Sequence, residues 1–139
     1  MLAVSVAHKV EGRGIIAFER GELDEAANFL TEAIQAFASY GNAGCTAHAL
    51  EASAVVIGAA SHNGGSLARE LFAAATQFRH QSGQGHRPWE IRARLGDLQD
   101  RIVTPNATAA HPPESRYTLS VASTLAAQAL QSLATPHAS

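Results

Sequence analysis

The sequence predicts an all-α protein in which antiparallel helical hairpins stack as a short repeat array of about six helices. First, 29 of the 139 residues are Ala, which loses the least side-chain entropy in a helix. Second, apolar residues recur at spacings of three and four along most of the chain, the period of a helix face. Third, the segment from Gly21 to Gly41 returns 42 residues later as a weaker copy that ends at Gly83. Repetition at a fixed period of this size is typical of helical arrays.

The first helix is predicted over residues 2–20, although Gly12 and Gly14 weaken it. A competing interpretation is a nucleotide-binding turn, because the segment from Gly12 to Ala17 fits the pattern G-x-G-x-x-A. That motif needs a strand directly before the glycines, and here the charged segment from His8 to Glu11 intervenes. The helix is therefore favoured, with Gly14 allowing a second helix to approach closely.

Two further helices carry the repeat, over residues 24–39 and 66–81. Three positions on their apolar stripes correspond: Ala26, Leu30 and Ala33 return as Ala68, Phe72 and Ala75. Spacings of three and four place these side chains on one face of each helix. That face is predicted to be buried in both copies.

Residues suited to helix ends support these boundaries. Ser66 and Ser120 are expected to cap helix starts, where their side chains can accept hydrogen bonds from exposed backbone amides. Asp24 is expected either to cap the second helix or to place its charge in the first turn. Gly21 is expected to end the first helix, and Gly41 is expected to end the second in the left-handed conformation.

The remaining predicted helices cover residues 44–60, 88–103 and 119–134. A proline-containing segment, residues 104–116, separates the last two, and its prolines exclude a regular helix. The expected organisation is a repeat domain over residues 1–103, a linker over 104–116 and a carboxyl-terminal helix with its tail over 117–139.

The charge balance argues against direct binding to nucleic acid or to an anionic membrane surface. The formal net charge is −2 and the isoelectric point is near 6.4, so the chain has no bulk positive field. No apolar run approaches the expected length of a membrane span. The single cysteine, Cys45, excludes an internal disulfide and fits a cytoplasmic location.

The second predicted helix resembles the second helix of a tetratricopeptide repeat. It carries that family's small–large–small pattern as Ala26, Leu30 and Ala33, and Gly14 falls where the family has a close-packing glycine. Two features depart from the family: the step is 42 residues instead of about 34, and Val56 stands where the second unit would have its glycine. The resemblance implies an array whose first helices line a concave, partner-binding groove.

A narrower resemblance covers most of the chain. The segments Ala47–Glu51, Ala68–Ala75, Pro88–Gly96 and Arg116–Ser120 look like the helical-repeat region near the carboxyl end of large actinobacterial regulators of the LuxR and AfsR type. Those proteins are multidomain ATP-binding transcriptional regulators. The sequence has no G-x-x-x-x-G-K-[ST] loop and no helix-turn-helix pattern, so ATP hydrolysis, DNA binding and a cofactor are not expected. The resemblance implies a standalone or truncated piece of such a regulator.

The predicted function is therefore that of a non-catalytic protein–protein interaction or regulatory module. Its partner would be a protein, a peptide, the rest of a larger regulator or a second copy of the chain. Arg13, His48 and Glu51 lie on the first helices of the two hairpins and are the polar candidates for the groove. Trp89, an aromatic residue flanked by arginines, is the fourth partner-binding candidate.

The alternative is a small metal-binding or ligand-sensing helical domain that uses Cys45 and His48. These residues are three apart on a predicted helix and could share one face. A closed zinc site would need a second pair of ligands, and no compact second motif follows. A thiol in a helix interior also lacks the environment that lowers its pKa, which argues against a cysteine nucleophile.

Overall fold

A computed structural model describes residues 3–60, 65–82 and 117–134 of the chain. Within these ranges the protein contains five α-helices and no strand, which confirms the all-α prediction. The helices are α1 (Val4–Glu19), α2 (Leu23–Ser39), α3 (Ala43–Ala60), α4 (Gly65–Gln81) and α5 (Leu119–Ala134). The helix predicted over residues 88–103 and the linker predicted over 104–116 lie outside the described residues.

Glycines end α1 and α2, as predicted, and both adopt the left-handed conformation that was expected at Gly41. Gly21 and Gly41 have φ angles of +79° and +69°, in the region that a Cβ atom makes unfavourable. At the end of α1, the amide of Gly21 donates to the carbonyl of Phe18 at 3.0 Å, and the amide of Glu22 donates to that of Ala17 at 2.9 Å. These two bonds form a Schellman motif, which satisfies carbonyls left open by the helix end. The same arrangement follows α2, so each of these two connections needs only three residues.

Side-chain caps begin α3 and α5, and the cap of α5 differs from the predicted residue. Asn42 Oδ1 accepts a hydrogen bond from the amide of Cys45 at 3.0 Å. Thr118 Oγ1 accepts one from the amide of Val121 at 3.2 Å. The cap of α5 is therefore Thr118, two residues before the expected Ser120, because the helix already begins at residue 119.

The starts of α2 and α4 precede Asp24 and Ser66, so Asp24 takes the first-turn position, one of the two predicted for it, and Ser66 does not cap its helix. Glu22 occupies the N-cap position of α2 without a side-chain cap bond. Asp24 lies in the first turn of that helix, where its negative charge is favourable near the helix amino terminus. Ser66 lies in the first turn of α4, which begins at Gly65.

The helices pack as neighbouring pairs around one core. α1 packs along α2, and α3 packs along α4. α2 also contacts α3, while α5 lies against α2, α3 and, over a shorter length, α4. The largest fully buried apolar side chains are Leu30, Ile34, Phe37, Leu50, Val55, Val56, Leu71 and Leu130. Many of the other core positions are Ala, and this small side chain lets the helices approach closely.

The 42-residue repeat is visible in the helices themselves. α2 and α4 each have 17 residues, and their first residues are 42 positions apart. Ala26 and Ala33 of α2 and their counterparts Ala68 and Ala75 of α4 are fully buried. A marked difference lies at the position of buried Phe37, because the residue 42 positions later is Arg79.

The two glycines of the G-x-G-x-x-A pattern lie inside one continuous helix, α1. The nucleotide-binding interpretation is therefore wrong, since it requires a strand before the glycines. A Cβ atom added at Gly14 would lie 2.9 Å from Leu30 Cγ and 3.3 Å from Phe29 Cβ. The prediction that Gly14 allows a close helix–helix approach is confirmed.

Alanine substitutions at Gly12 and Gly14 should have opposite effects. Gly14→Ala should destabilise the protein by about 1–2 kcal/mol, because the new methyl group presses on Leu30 and overpacking outweighs the gain in helix propensity. Gly12→Ala should stabilise it by about 0.5–1 kcal/mol, since a Cβ there meets nothing within 4 Å. Urea unfolding followed by circular dichroism measures both. Equal effects of the two variants would contradict the close contact at Gly14.

In the described part of the chain, α3 is long and apolar enough to meet a simple test for a membrane span. Its 18 residues have a mean hydropathy of 1.3, and 67% of that window is buried inside the protein. By this test, the expectation that no apolar run approaches the length of a membrane span is wrong for α3. A helix that lies in the core of its own fold passes the same test.

Candidate functional site

The described part of the structure includes three of the four predicted partner-binding residues. Arg13 is exposed on α1, His48 is half-buried on α3, and Glu51 is buried one turn after His48. Trp89 lies outside the described residues. The side chain of Glu51 is therefore not exposed to solvent, as that of a groove residue would be. It lies in the core, beside a buried arginine.

Glu51 forms a buried ion pair with Arg79 of α4. Arg79 Nε donates to Glu51 Oε1 at 2.7 Å, and Arg79 Nη2 donates to Glu51 Oε2 at 3.1 Å. The exposed fractions of the two residues are only 4% and 5%. Two parallel bonds between a guanidinium and a carboxylate form the strong, bidentate type of charge pair. The pair ties α3 to α4 inside the core.

Sequence reasoning missed Arg79 because a charged residue next to the apolar stripe of a helix is normally solvated. The repeat contains a usable signal. Arg79 occupies the position that Phe37 fills in the first copy, and Phe37 is fully buried. An arginine at a core position requires an acidic partner, since a buried charge without one is costly.

Glu11 of α1 is a second buried carboxylate near this pair. Its exposed fraction is 4%, and its Oε2 atom has no hydrogen-bond partner. Glu11, Glu51 and Arg79 together form what we call the charged cluster, at the junction of α1, α3 and α4. If both carboxylates were ionised, the cluster would carry one uncompensated negative charge in the protein interior.

The environment of Glu11 favours its neutral form. Burial raises the pKa of the Glu11 carboxyl from 4.5 to about 8; the negative charge of Glu51 adds to the increase, and Arg79 opposes it. Glu11 is therefore mainly protonated at neutral pH. The charged cluster has two carboxyl groups and one guanidinium, and the proton on Glu11 removes the charge that Arg79 does not balance.

The burial of Glu11 had a signal in the sequence. The buried face of α1 includes Ala7, Val10, Gly14 and Ile15, and Glu11 falls within that stripe at spacings of three and four. Glu11 also belongs to the charged segment from His8 to Glu11 that precedes the glycines. The helical period of the apolar residues was the better guide to which side of α1 it occupies.

Cys45 lies beside His8, across the gap between α3 and α1. Cys45 Sγ is 3.2 Å from His8 Nε2, and the His8 ring lies against Phe37 with 4.9 Å between the ring centres. Burial raises the pKa of the Cys45 thiol, and the charge of Glu11 adds to the increase. The environment thus favours the protonated thiol, which is the opposite of what an activated cysteine nucleophile requires.

The predicted metal site paired Cys45 with His48, but the histidine that the structure places against Cys45 is His8. The contact of Cys45 that the structure defines is with His8 of α1. Within residues 3–60, 65–82 and 117–134, no group of three His, Cys, Asp or Glu side chains is arranged to hold a metal ion. Structural zinc sites use four ligands, so this pair alone does not make one.

The charged cluster can act as a protonation-sensitive joint between helices. The bidentate pair holds α3 to α4, and Glu11 brings a titratable group from α1 against it. Since α1 and α3 otherwise contact each other over only a few residues, the cluster sits where the two helix pairs meet.

Comparison of the chain with protein-family models, with curated proteins and with solved structures finds no match.

Proposed function

We propose that this chain is a tetratricopeptide-like helical-repeat module that binds a protein or peptide partner along the face formed by α1 and α3. It acts by binding, without catalysis. The proposal extends to a regulatory role, as a part of a larger bacterial regulator of the LuxR and AfsR type. Arg13 and His48 are the side chains assigned to the partner-binding face.

The observation that carries the proposal is the repeat of a helix pair. α2 and α4 have equal lengths, start 42 residues apart and bury corresponding alanines. In stacked helix pairs, the first helix of each pair lines the concave side, where peptides and helices are bound. α1 and α3 are the first helices of the two pairs in this chain.

The exposed side of α1 agrees with this role, while α3 is largely buried and contributes the half-buried His48. Each packs mainly on the helix that follows it, and the two contact each other only slightly. Arg13 is exposed and His48 is half-buried, so polar groups accompany the apolar surface of Val6 and Ile16, whose exposed fractions are 41% and 38%. A mixed surface of this kind suits a peptide that buries apolar side chains and forms a few polar contacts.

A peptide-display selection against the full chain tests the proposal. Selected peptides should bind with affinities that fall by about tenfold in Arg13→Glu or His48→Ala, because interface residues near the centre of a contact contribute about 1.4 kcal/mol or more. Isothermal titration calorimetry measures each affinity. Val121→Ser, at an exposed position of α5, is the matched control and should leave binding unchanged.

Two results would overturn this assignment. One is a selection that yields no binder. The other is a set of binders whose affinities stay the same in both α1 and α3 variants but fall in the α5 control. The second result would move the binding face to α5.

The metal-binding alternative remains a prediction with one geometric observation behind it, the 3.2 Å contact between Cys45 and His8. Metal analysis of the purified protein, beside Cys45→Ala, distinguishes it from the interaction module. A stoichiometric metal that the variant loses would favour the alternative.

A further inference from the structure

Five exposed side chains of α1 form a stripe on the side of the helix opposite its buried residues. Residues at alternating steps of three and four lie on one face of an α-helix. α1 is continuous from Val4 to Glu19, and the residue that follows is still in the helical conformation, so this spacing fixes the arrangement of the five. They are Val6, Lys9, Arg13, Ile16 and Arg20, and we call them the α1 stripe.

The spacing of the α1 stripe is that of a helix-packing seam. Unbroken steps of three and four define the line along which one helix packs against another in a coiled coil. The buried face of α1 already packs on α2, where Gly14 lies against Leu30. The α1 stripe is a second seam on the same helix, and its exposure shows that none of the described helices packs along it.

The α1 stripe is basic, in contrast to the rest of the described surface. Residues 3–60, 65–82 and 117–134 contain eight Asp or Glu residues and five Lys or Arg residues. Of those five cations Arg79 is buried, and three of the other four lie on the stripe, which contains no acid. Arg20 lies near Glu25 of α2. Lys9 and Arg13 therefore carry the positive charge that the chain itself balances least.

Apolar side chains stand on either side of these two cations. Val6 and Ile16 have exposed fractions of 41% and 38%. They are ten residues apart in the sequence, which corresponds to about 15 Å along the helix axis. Lys9 and Arg13 lie between them. A helix packed along this seam would match it with acids in its middle and apolar side chains toward its ends.

We propose that the α1 stripe packs against an acidic amphipathic helix of a protein partner. Carboxylates of that helix pair with Lys9 and Arg13, and its apolar side chains cover Val6 and Ile16. The inference rests on the partner-binding role proposed for the α1–α3 face and names the chemistry of that partner. An anionic membrane fits the stripe less well, because helices that lie on membranes present large apolar side chains such as Trp, Phe and Leu.

Three helical peptides as long as α1 test the chemistry of the partner against the full chain. Their seams carry leucine toward both ends and, between the leucines, glutamate in the first peptide, glutamine in the second and lysine in the third. Isothermal titration calorimetry should show the tightest binding for the glutamate peptide, binding about tenfold weaker for the glutamine peptide, and none for the lysine peptide. Added salt should weaken the glutamate peptide most, because it screens the charge pairs.

Charge reversal in the chain provides the matching test. Arg13→Glu should lower the affinity for the glutamate peptide about tenfold or more. A double variant, Lys9→Glu with Arg13→Glu, should bind the lysine peptide instead. Both positions are exposed, so the circular dichroism spectra should match that of the wild type. Arg69→Glu makes the same charge change at an exposed position of α4 and should leave binding unchanged.

Failure of this inference is distinguishable from failure of the partner-binding role. If all three peptides bind equally and Arg13→Glu weakens each of them, the acidic partner is wrong and the binding face stands. If no peptide binds and a display selection yields no binder, both are wrong. Two other occupants would also overturn the inference. Salt-sensitive dimerisation in light scattering, lost in Arg13→Glu, would assign the stripe to a second copy. Co-sedimentation with phosphatidylglycerol vesicles, without peptide binding, would assign it to a membrane.

Discussion

Replacing Glu11 by Gln should stabilise the protein progressively as the pH rises from 5 to 8. The pKa of Glu11 is about 8 in the folded protein, against an ordinary value of 4.5. Between these values the folded state holds a proton that the unfolded state has released. The unfolding free energy of the wild type therefore falls by about 1.4 kcal/mol per pH unit through this one group. Gln cannot ionise, so the variant lacks this loss.

The two proteins should be nearly equal in stability at pH 5 and should differ by about 3–5 kcal/mol above pH 8, since each unit of pKa shift corresponds to about 1.4 kcal/mol. Urea unfolding at a series of pH values measures the difference. Glu32→Gln, at an exposed position of α2, controls for the loss of a carboxylate as such. A Glu11→Gln curve that runs parallel to the wild-type curve across this range would show that Glu11 is not buried as an acid.

Replacing Arg79 by Met should destabilise the protein by about 3–5 kcal/mol at pH 8, because it leaves the Glu51 carboxylate buried without its cation. The loss should be smaller at pH 5, where protonation neutralises part of the remaining charge. A double variant, Glu51→Gln with Arg79→Met, removes both charges and should recover much of the loss. Chemical unfolding of the three proteins gives these free energies directly.

Arg69→Met provides the comparison on the same helix. Arg69 is exposed on α4, and loss of a surface cation normally changes stability by less than about 0.5 kcal/mol. If Arg79→Met and Arg69→Met had the same small effect, the ion pair with Glu51 would contribute little to the fold. If the double variant were no more stable than Arg79→Met, the loss would come from packing of the long arginine side chain and not from charge.

The helices were predictable because local rules dominate their boundaries. Each of the five described helices begins and ends within two residues of the predicted bounds. Gly21 and Gly41 mark two of the ends through a backbone conformation that few other residues adopt. Capping was less predictable, because several nearby polar residues competed for the position. Thr118, and not Ser120, makes the cap bond of α5.

The charged cluster was not predictable from the same rules, because its members come from three helices. Glu51 and Arg79 are 28 residues apart in sequence. No local sequence pattern around either residue shows that the other neutralises its charge. Glu51 was expected to face a partner, whereas its carboxylate binds Arg79 inside the fold. The apolar period of α1 places Glu11 on the buried side of the helix, although carboxylates are normally solvated.

The burial of Glu11 also has a consequence for the order in which the chain folds. Contacts within α1–α2 and within α3–α4 join segments that are close in sequence, and such local contacts form rapidly. Glu11 meets Glu51 and Arg79 only when these two hairpins come together. At neutral pH the exposed carboxylate must then take up a proton from solvent as it loses its water. Assembly of the two hairpins, which brings Glu11 to Glu51 and Arg79, is therefore expected to be coupled to uptake of a proton.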